Sequence, residues 1–142
     1  MVKTIFLLII LAATSPFIST AYSQTEKKTV TLPSGEVVCD LNGEWNALYE
    51  HYGPMEWVGN IKGMIMIVQQ GNTFVGKTTM DSAWSPKGTE KIRAELDKDG
   101  IKNARYSRPD IGWTDAKGEM SKNCDKLVFD DGNGVKVILE RK

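Results

Sequence analysis

The fold prediction begins at the stretch CDLNGEWNALYE, residues 39–50. A cysteine and an Asn42-Gly43 turn signal precede Trp45, and a run of strand-forming residues follows. Turn signals and such runs then alternate about every eight to twelve residues, which is the spacing of β-sandwiches and β-barrels. No long stretch of the sequence has a sustained helical period. The sequence therefore predicts an all-β chain in which this stretch opens the first main strand.

Eight main strands are predicted from these runs, after a short preliminary strand at 36–39. Their ranges are 43–52, 62–69, 73–80, 89–96, 101–106, 111–119, 125–130 and 135–141. Eight consecutive antiparallel strands with short links predict an up-and-down β-barrel, because closure removes the exposed edges of an open sheet. A sandwich of the same strands is the alternative.

Residues 90–96 show the clearest alternation of apolar and charged side chains, which predicts one buried and one solvated face. The apolar set is Ile92, Ala94 and Leu96, and the charged set is Lys91, Arg93 and Glu95.

The lengths of the links predict a barrel with two different ends. Links after the second, fourth and sixth strands are short, whereas two links on the opposite side, 53–61 and 81–88, are the longest. Strict up-and-down order therefore predicts that short hairpins close one end of the barrel, and that longer loops surround an open mouth at the other end. Cys39 and Cys124 both map to the closed end.

Five aromatic side chains map to the mouth, and we predict that they form a ligand site. They are Tyr52, Trp57, Trp84, Tyr106 and Trp113. Such rings could clamp a flat or apolar ligand, or they could pack as an ordinary lid over the core. The barrel could be filled by its own side chains or hold one small ligand. Candidates for either role are Tyr49, Met64, Met66 and Phe74.

The first 23 residues have the pattern of a secretory signal peptide. Lys3 supplies the positive charge, residues 5–13 the apolar run, and Ala21-Tyr22-Ser23 the small residues before the cut. An uncleaved anchor is the alternative, but the apolar run is short for a bilayer. Cleavage leaves a flexible segment at 24–35 and a barrel domain at 36–142. We expect a secreted or periplasmic protein with no membrane span after cleavage.

Charge and cysteine content narrow the possible partners. The chain has 18 basic and 18 acidic side chains, and removal of the leader, which holds Lys3 and no acid, leaves a net charge of −1. These charges are interspersed, so no nucleic-acid partner is expected. In an oxidising compartment Cys39 and Cys124 are expected to form one disulfide bond. With His51 as the sole imidazole, no metal site and no cofactor are predicted.

No motif for catalysis is present, so no catalytic residue is predicted and the protein is not expected to be an enzyme. Nucleophilic catalysis needs a paired base, and both cysteines are expected in the disulfide bond. His51, near the mouth, could bind a ligand or sense pH, but it is expected to be a surface or packed residue. Segments 97–100 and 130–134 are interpreted as hairpin turns, because they lack the spaced ligands of a calcium loop.

Gly43-x-Trp45, the wide loop after the first strand, the eight meandering strands and a terminal basic residue resemble the lipocalin-type (calycin) β-barrels. The resemblance covers most of the mature chain. It implies that Trp45 seals the closed end and that Arg141 packs over its indole, a cation–π contact. Avidin-type barrels share the Gly-x-Trp opening and are an alternative.

These features together predict an exported, non-enzymatic protein that holds a small apolar or aromatic ligand at the mouth. The main alternative is a module that binds a secreted protein, such as an enzyme inhibitor, through its mouth loops. The two hypotheses differ in the interior. A ligand-binding protein needs a cavity, whereas a protein-binding module would have a filled barrel and an exposed apolar patch.

Overall fold

A computed structural model describes residues 27–142 as an all-β chain. The strands are β1 Thr29–Thr31, β2 Val37–Cys39, β3 Gly43–His51, β4 Ile61–Gln70, β5 Thr73–Thr78, β6 Glu90–Asp97, β7 Gly100–Arg108, β8 Gly112–Asp115, β9 Lys117–Met120, β10 Lys126–Asp130 and β11 Val135–Arg141. A 3₁₀ helix, Gly53–Val58, follows β3. The predicted signal peptide lies outside the described residues. Within residues 27–142, no helix is both long enough and apolar enough to cross a membrane.

Strands β3 to β11 form one antiparallel sheet that curls into a nearly closed barrel. The order of neighbours is β8-β7-β6-β5-β4-β3-β11-β10-β9, so strands that are consecutive in sequence pair with each other, except β8 and β9, and β3 also pairs with β11. The all-β barrel expected from the sequence is confirmed, and the sandwich alternative is not observed.

The sheet has nine strands instead of the predicted eight, because the predicted sixth strand is divided. Its first part, β8, pairs with β7, and its second part, β9, pairs with β10. Ala116 lies between the two parts, and its N–H donates to the Ala104 carbonyl at 2.8 Å. One segment of chain therefore crosses from one edge of the sheet to the other.

The N-terminal residues form a small separate hairpin. Strand β1 pairs with β2 around the turn at Gly35, whose φ of +85° is in the region that favours glycine. Residues 29–31 thus form a strand, where the sequence predicted a flexible segment over 24–35. The Glu36 carboxylate accepts a hydrogen bond from the Lys98 N–H at 2.6 Å, so this hairpin lies against the β6–β7 link at the closed end.

Trp45 and Arg141 meet at the closed end of the barrel. Trp45 is fully buried, and its Nε1–H donates to the Leu41 carbonyl at 2.9 Å. The Arg141 guanidinium lies 4.5 Å from the centre of the indole ring. Its Nη2 also donates to the carbonyls of Asp40, at 2.8 Å, and Cys124, at 2.7 Å.

The predicted disulfide bond between Cys39 and Cys124 is present. It joins the N-terminal hairpin to the link before β10, beside the two carbonyls that Arg141 holds. Phe74 and Phe129 fill the interior above this cluster, with ring centres 6.2 Å apart. The interior of the lower part of the barrel is therefore a packed core.

Candidate functional site

A cavity of about 280 Å³ opens at the end of the barrel opposite the disulfide bond. Three segments surround it: the 3₁₀ helix after β3, the long link 79–89 between β5 and β6, and the end of β7. Its apolar wall is formed by Tyr49, Met55, Trp57, Val58, Ile61, Met80, Trp84, Tyr106 and Val135. The loops that the sequence predicted at the mouth thus surround a real concavity.

Small residues in the upper strands create this space. Gly63 occupies an inward position of β4, opposite Ala47 of β3, so neither side chain reaches far into the barrel. Pairing between β4 and β5 ends at Ile65 and Thr78, after which the chain leaves the sheet in the link 79–89. Beyond the end of β5, that side of the cavity is therefore lined by side chains of the link.

The link 79–89 is held in shape by its own hydrogen bonds. Ser82 Oγ accepts from the N–H groups of Trp84, at 3.2 Å, and Ser85, at 3.1 Å. The Asp81 carboxylate accepts from the Lys87 N–H at 2.7 Å, and the Gly88 N–H donates to the Thr78 carbonyl at 2.8 Å. This link therefore holds Trp84 at the rim through a local turn.

Three of the five predicted aromatic residues border the cavity. Trp57 comes from the 3₁₀ helix, Trp84 from the link 79–89, and Tyr106 from an inward position of β7. Trp57 is 74% exposed and Trp84 is 49% exposed, whereas Tyr106 is buried. The site thus combines a buried ring deep in the cavity with two exposed rings at its rim.

Tyr52 and Trp113 lie at the same end of the molecule but do not border the cavity. The Tyr52 hydroxyl donates to the Asp130 carboxylate at 2.6 Å. Trp113 pairs with the outward residue Ser107, so its ring lies on the outer face. There the Arg93 guanidinium packs 4.4 Å from the ring centre. The sequence placed these residues at the correct end but could not assign the face.

Two further residues that were considered as filling or lining the barrel also face outward. Met64 and Met66 pair with Asn46 and Glu44, which alternate with the inward residues of β3. Met64 borders the cavity only at its rim, beyond the end of β5. Of the same set, Phe74 packs in the lower core, whereas Tyr49 lines the cavity.

Lys91 is one of the lining residues that sequence reasoning missed. The alternation in residues 90–96 predicted it on the solvated face, yet it borders the cavity and is 5% exposed. A β-bulge explains the difference: Gly76 pairs with Ile92 but Lys77 pairs with Glu90, so Lys91 is the extra residue between them. A bulge of this kind turns a side chain that strict alternation would expose.

Arg108 is buried, and it stabilises the rim of the cavity through two ion pairs. It is 7% exposed and pairs with the carboxylates of Asp110 and, at 3.6 Å, Asp131. It also donates to the Asn133 carbonyl at 3.2 Å and contacts the Met55 sulfur at 3.3 Å. The guanidinium holds the pKa of Asp110 below its usual value. One side chain thus fixes three mouth segments.

The titratable groups of the cavity wall include two tyrosines that stay neutral. Burial raises the pKa of Tyr49 to about 12, and burial also raises the pKa of Tyr106. His51 borders the cavity, and its Nδ1–H donates to the Gly59 carbonyl. This bond ties the link after the 3₁₀ helix to β3.

Within residues 27–142, no group of three histidine, cysteine or carboxylate side chains is arranged to hold a metal ion. The arrangement at the mouth offers an apolar concavity, aromatic faces and one buried ammonium group. Comparison of the chain with protein-family models, with curated proteins and with solved structures finds no match.

Proposed function

We propose that this chain is an exported, lipocalin-like binding protein that holds a small apolar or aromatic molecule in the cavity at its open end. The observation that carries the proposal is the cavity itself, about 280 Å³ enclosed by aromatic and aliphatic side chains above a filled core. Concave, mostly apolar sites with a few polar groups are typical of small-molecule binding. The volume is just below the usual range of such sites, which favours a small ligand.

Export is proposed from the signal-peptide pattern of residues 1–23, and the disulfide bond agrees with an oxidising compartment. The lipocalin-like assignment is supported by the barrel and by the packing of Arg141 on Trp45. A binding role without catalysis is favoured because the Ser82 hydroxyl is engaged in its turn and His51 Nδ1 is bonded to a carbonyl.

A protein-binding role is the second candidate, because apolar side chains are exposed around the mouth. Trp57, Met80 and Trp84 are exposed at the rim, and clusters of this kind mark interaction sites on many soluble proteins. The cavity favours the small ligand, whereas this rim favours a protein. Native mass spectrometry of protein purified from its own source separates the two: a retained small molecule supports the first, and a second chain supports the second.

Titration of tryptophan fluorescence with a panel of small aromatic and apolar compounds tests the proposed function. We expect saturable quenching or a spectral shift, with affinity weakened by about tenfold or more in Trp84→Ala. Trp113→Ala is the matched control, because its ring lies on the outer face, and its affinity should equal that of the parent. No saturable change with any compound would refute small-ligand binding.

A further inference from the structure

Lys91 has an environment unlike that of the other charged groups at the cavity. It is 5% exposed, and its Nζ has a single hydrogen-bond partner, the Ser107 carbonyl at 3.5 Å. An ammonium group can donate three hydrogen bonds, and this one is long. The structure therefore leaves most of the hydrogen-bonding capacity of a buried cation unused.

None of the ion pairs among residues 27–142 includes Lys91. The two carboxylates that border the cavity are engaged elsewhere: Asp110 pairs with Arg108, and Asp81 accepts the Lys87 N–H. Burial lowers the pKa of Lys91, and no neighbouring carboxylate offsets this effect. A buried ammonium without a charged partner is costly, so a group that compensates its charge would bind with a large gain.

We propose that the ligand of this cavity is a small apolar or aromatic acid whose carboxylate accepts hydrogen bonds from Lys91 Nζ. The inference rests on the proposed small-ligand function and names the chemistry of the ligand. The carboxylate of the ligand would supply the negative charge that no side chain of the protein places beside Lys91. Charge-assisted hydrogen bonds are about twice as strong as neutral ones. The apolar body of the acid occupies the space among Tyr49, Trp84 and Tyr106.

The size of the cavity limits the body of this acid. At about 280 Å³ it lies just below the range of sites for drug-sized ligands, about 300–1,000 Å³. One or two fused rings, or a short branched chain, fit this space, whereas a long acyl chain would have to leave through the mouth. The lower barrel gives no further room, because Trp45, Phe74 and Phe129 fill it.

The test compares two probes of the same shape, naphthalene-2-carboxylate and the neutral 2-naphthalenemethanol, by calorimetric titration of the full mature chain. In the parent we expect the acid to bind about tenfold or more tightly than the alcohol. Lys91→Met keeps the length of the side chain and removes its charge. It should weaken the acid by about tenfold or more and leave the alcohol within about threefold.

Lys62→Met is the matched control, because Lys62 is an exposed lysine at the rim of the same cavity. It should change acid affinity by less than about threefold, since solvent and salt screen an exposed charge. Urea unfolding of Lys91→Met checks its fold, and we expect its stability to equal or exceed that of the parent, because an unpaired buried charge has been removed.

The outcomes separate the two proposals. Equal affinity of the parent for acid and alcohol, or equal loss of acid binding in the Lys91 and Lys62 variants, would overturn the role of Lys91 while small-ligand binding stands. Binding of neither probe, together with no response to the wider panel, would overturn the proposed function itself.

Discussion

Replacement of Arg141 by methionine is expected to destabilise the closed end of the barrel. The side chain makes three contacts there: its guanidinium stacks 4.5 Å from the Trp45 ring centre and donates to the carbonyls of Asp40 and Cys124. Methionine keeps the aliphatic stem but none of these contacts. Arg141→Met therefore removes a defined set of polar interactions and leaves most of the volume.

The magnitude follows from these contacts. A cation–π contact contributes about 0.5–2 kcal/mol, the larger figure when it is desolvated, as on the fully buried Trp45. A hydrogen bond from a charged donor contributes about 1.5–3 kcal/mol. Arg141 is half-buried, so water replaces part of what the two carbonyls lose. We expect a loss of about 3–4 kcal/mol in the free energy of unfolding, a large share of the typical 5–15 kcal/mol.

Urea unfolding followed by far-ultraviolet circular dichroism, with the disulfide bond intact, measures this loss. The slope of the free energy against urea should be unchanged, because the surface exposed on unfolding is the same. Arg93→Met is the control: its guanidinium stacks 4.4 Å from Trp113, but the side chain is 54% exposed and pairs with Glu90 at the surface. It should lose less than about 1 kcal/mol. Equal losses in the two variants would contradict the expected difference between a buried and an exposed stacking contact.

Three further outcomes are expected. Replacing Cys39 and Cys124 together by alanine should lower the free energy of unfolding by about 4 kcal/mol in urea, because the bond closes a loop of 85 residues; a loss below 1 kcal/mol would contradict this. Gly134→Ala should lose about 1–3 kcal/mol in thermal unfolding, because its Cβ would lie 2.7 Å from Met55 Cγ at a φ of +121°. The raised pKa of Tyr49 means that its contribution to stability is present below pH 10 and is lost as pH rises from 10.0 towards 12. Tyr49→Phe should therefore reduce the fall in stability over that interval, and an unchanged fall would argue against burial as the cause.

Features set by local rules could be predicted from the sequence. The alternation of apolar and charged residues and the spacing of the turn signals predicted the barrel. The lengths of the links indicated which end has the mouth. Cys39 and Cys124 were both assigned to the closed end because each precedes a strand that starts there. These inferences depend only on the direction of each strand, and an error of one or two residues in a strand boundary does not change that direction.

The face of a side chain was harder to predict than its end of the barrel. Trp113 and Tyr106 both map to the mouth, but Trp113 is outward because it pairs with Ser107. Assigning that face from sequence requires the exact register across the β7–β8 turn, and a shift of one residue moves every side chain to the other face. The face of Lys91 was also mispredicted, because the β-bulge that turns its side chain inward depends on the pairing of β6 with Gly76 and Lys77 of β5.

Lys91 and Arg108 differ in how the protein compensates their buried charge. Both cations line the same space and are almost equally buried, yet Arg108 has two carboxylates and a carbonyl as partners. If Lys91 served only to close the mouth, an apolar side chain would do so at a lower energetic cost. Arg108 is thus compensated by carboxylates of the protein, whereas Lys91 borders the cavity without one. The proposed ligand, with its opposite charge, would compensate the cation that faces this apolar space.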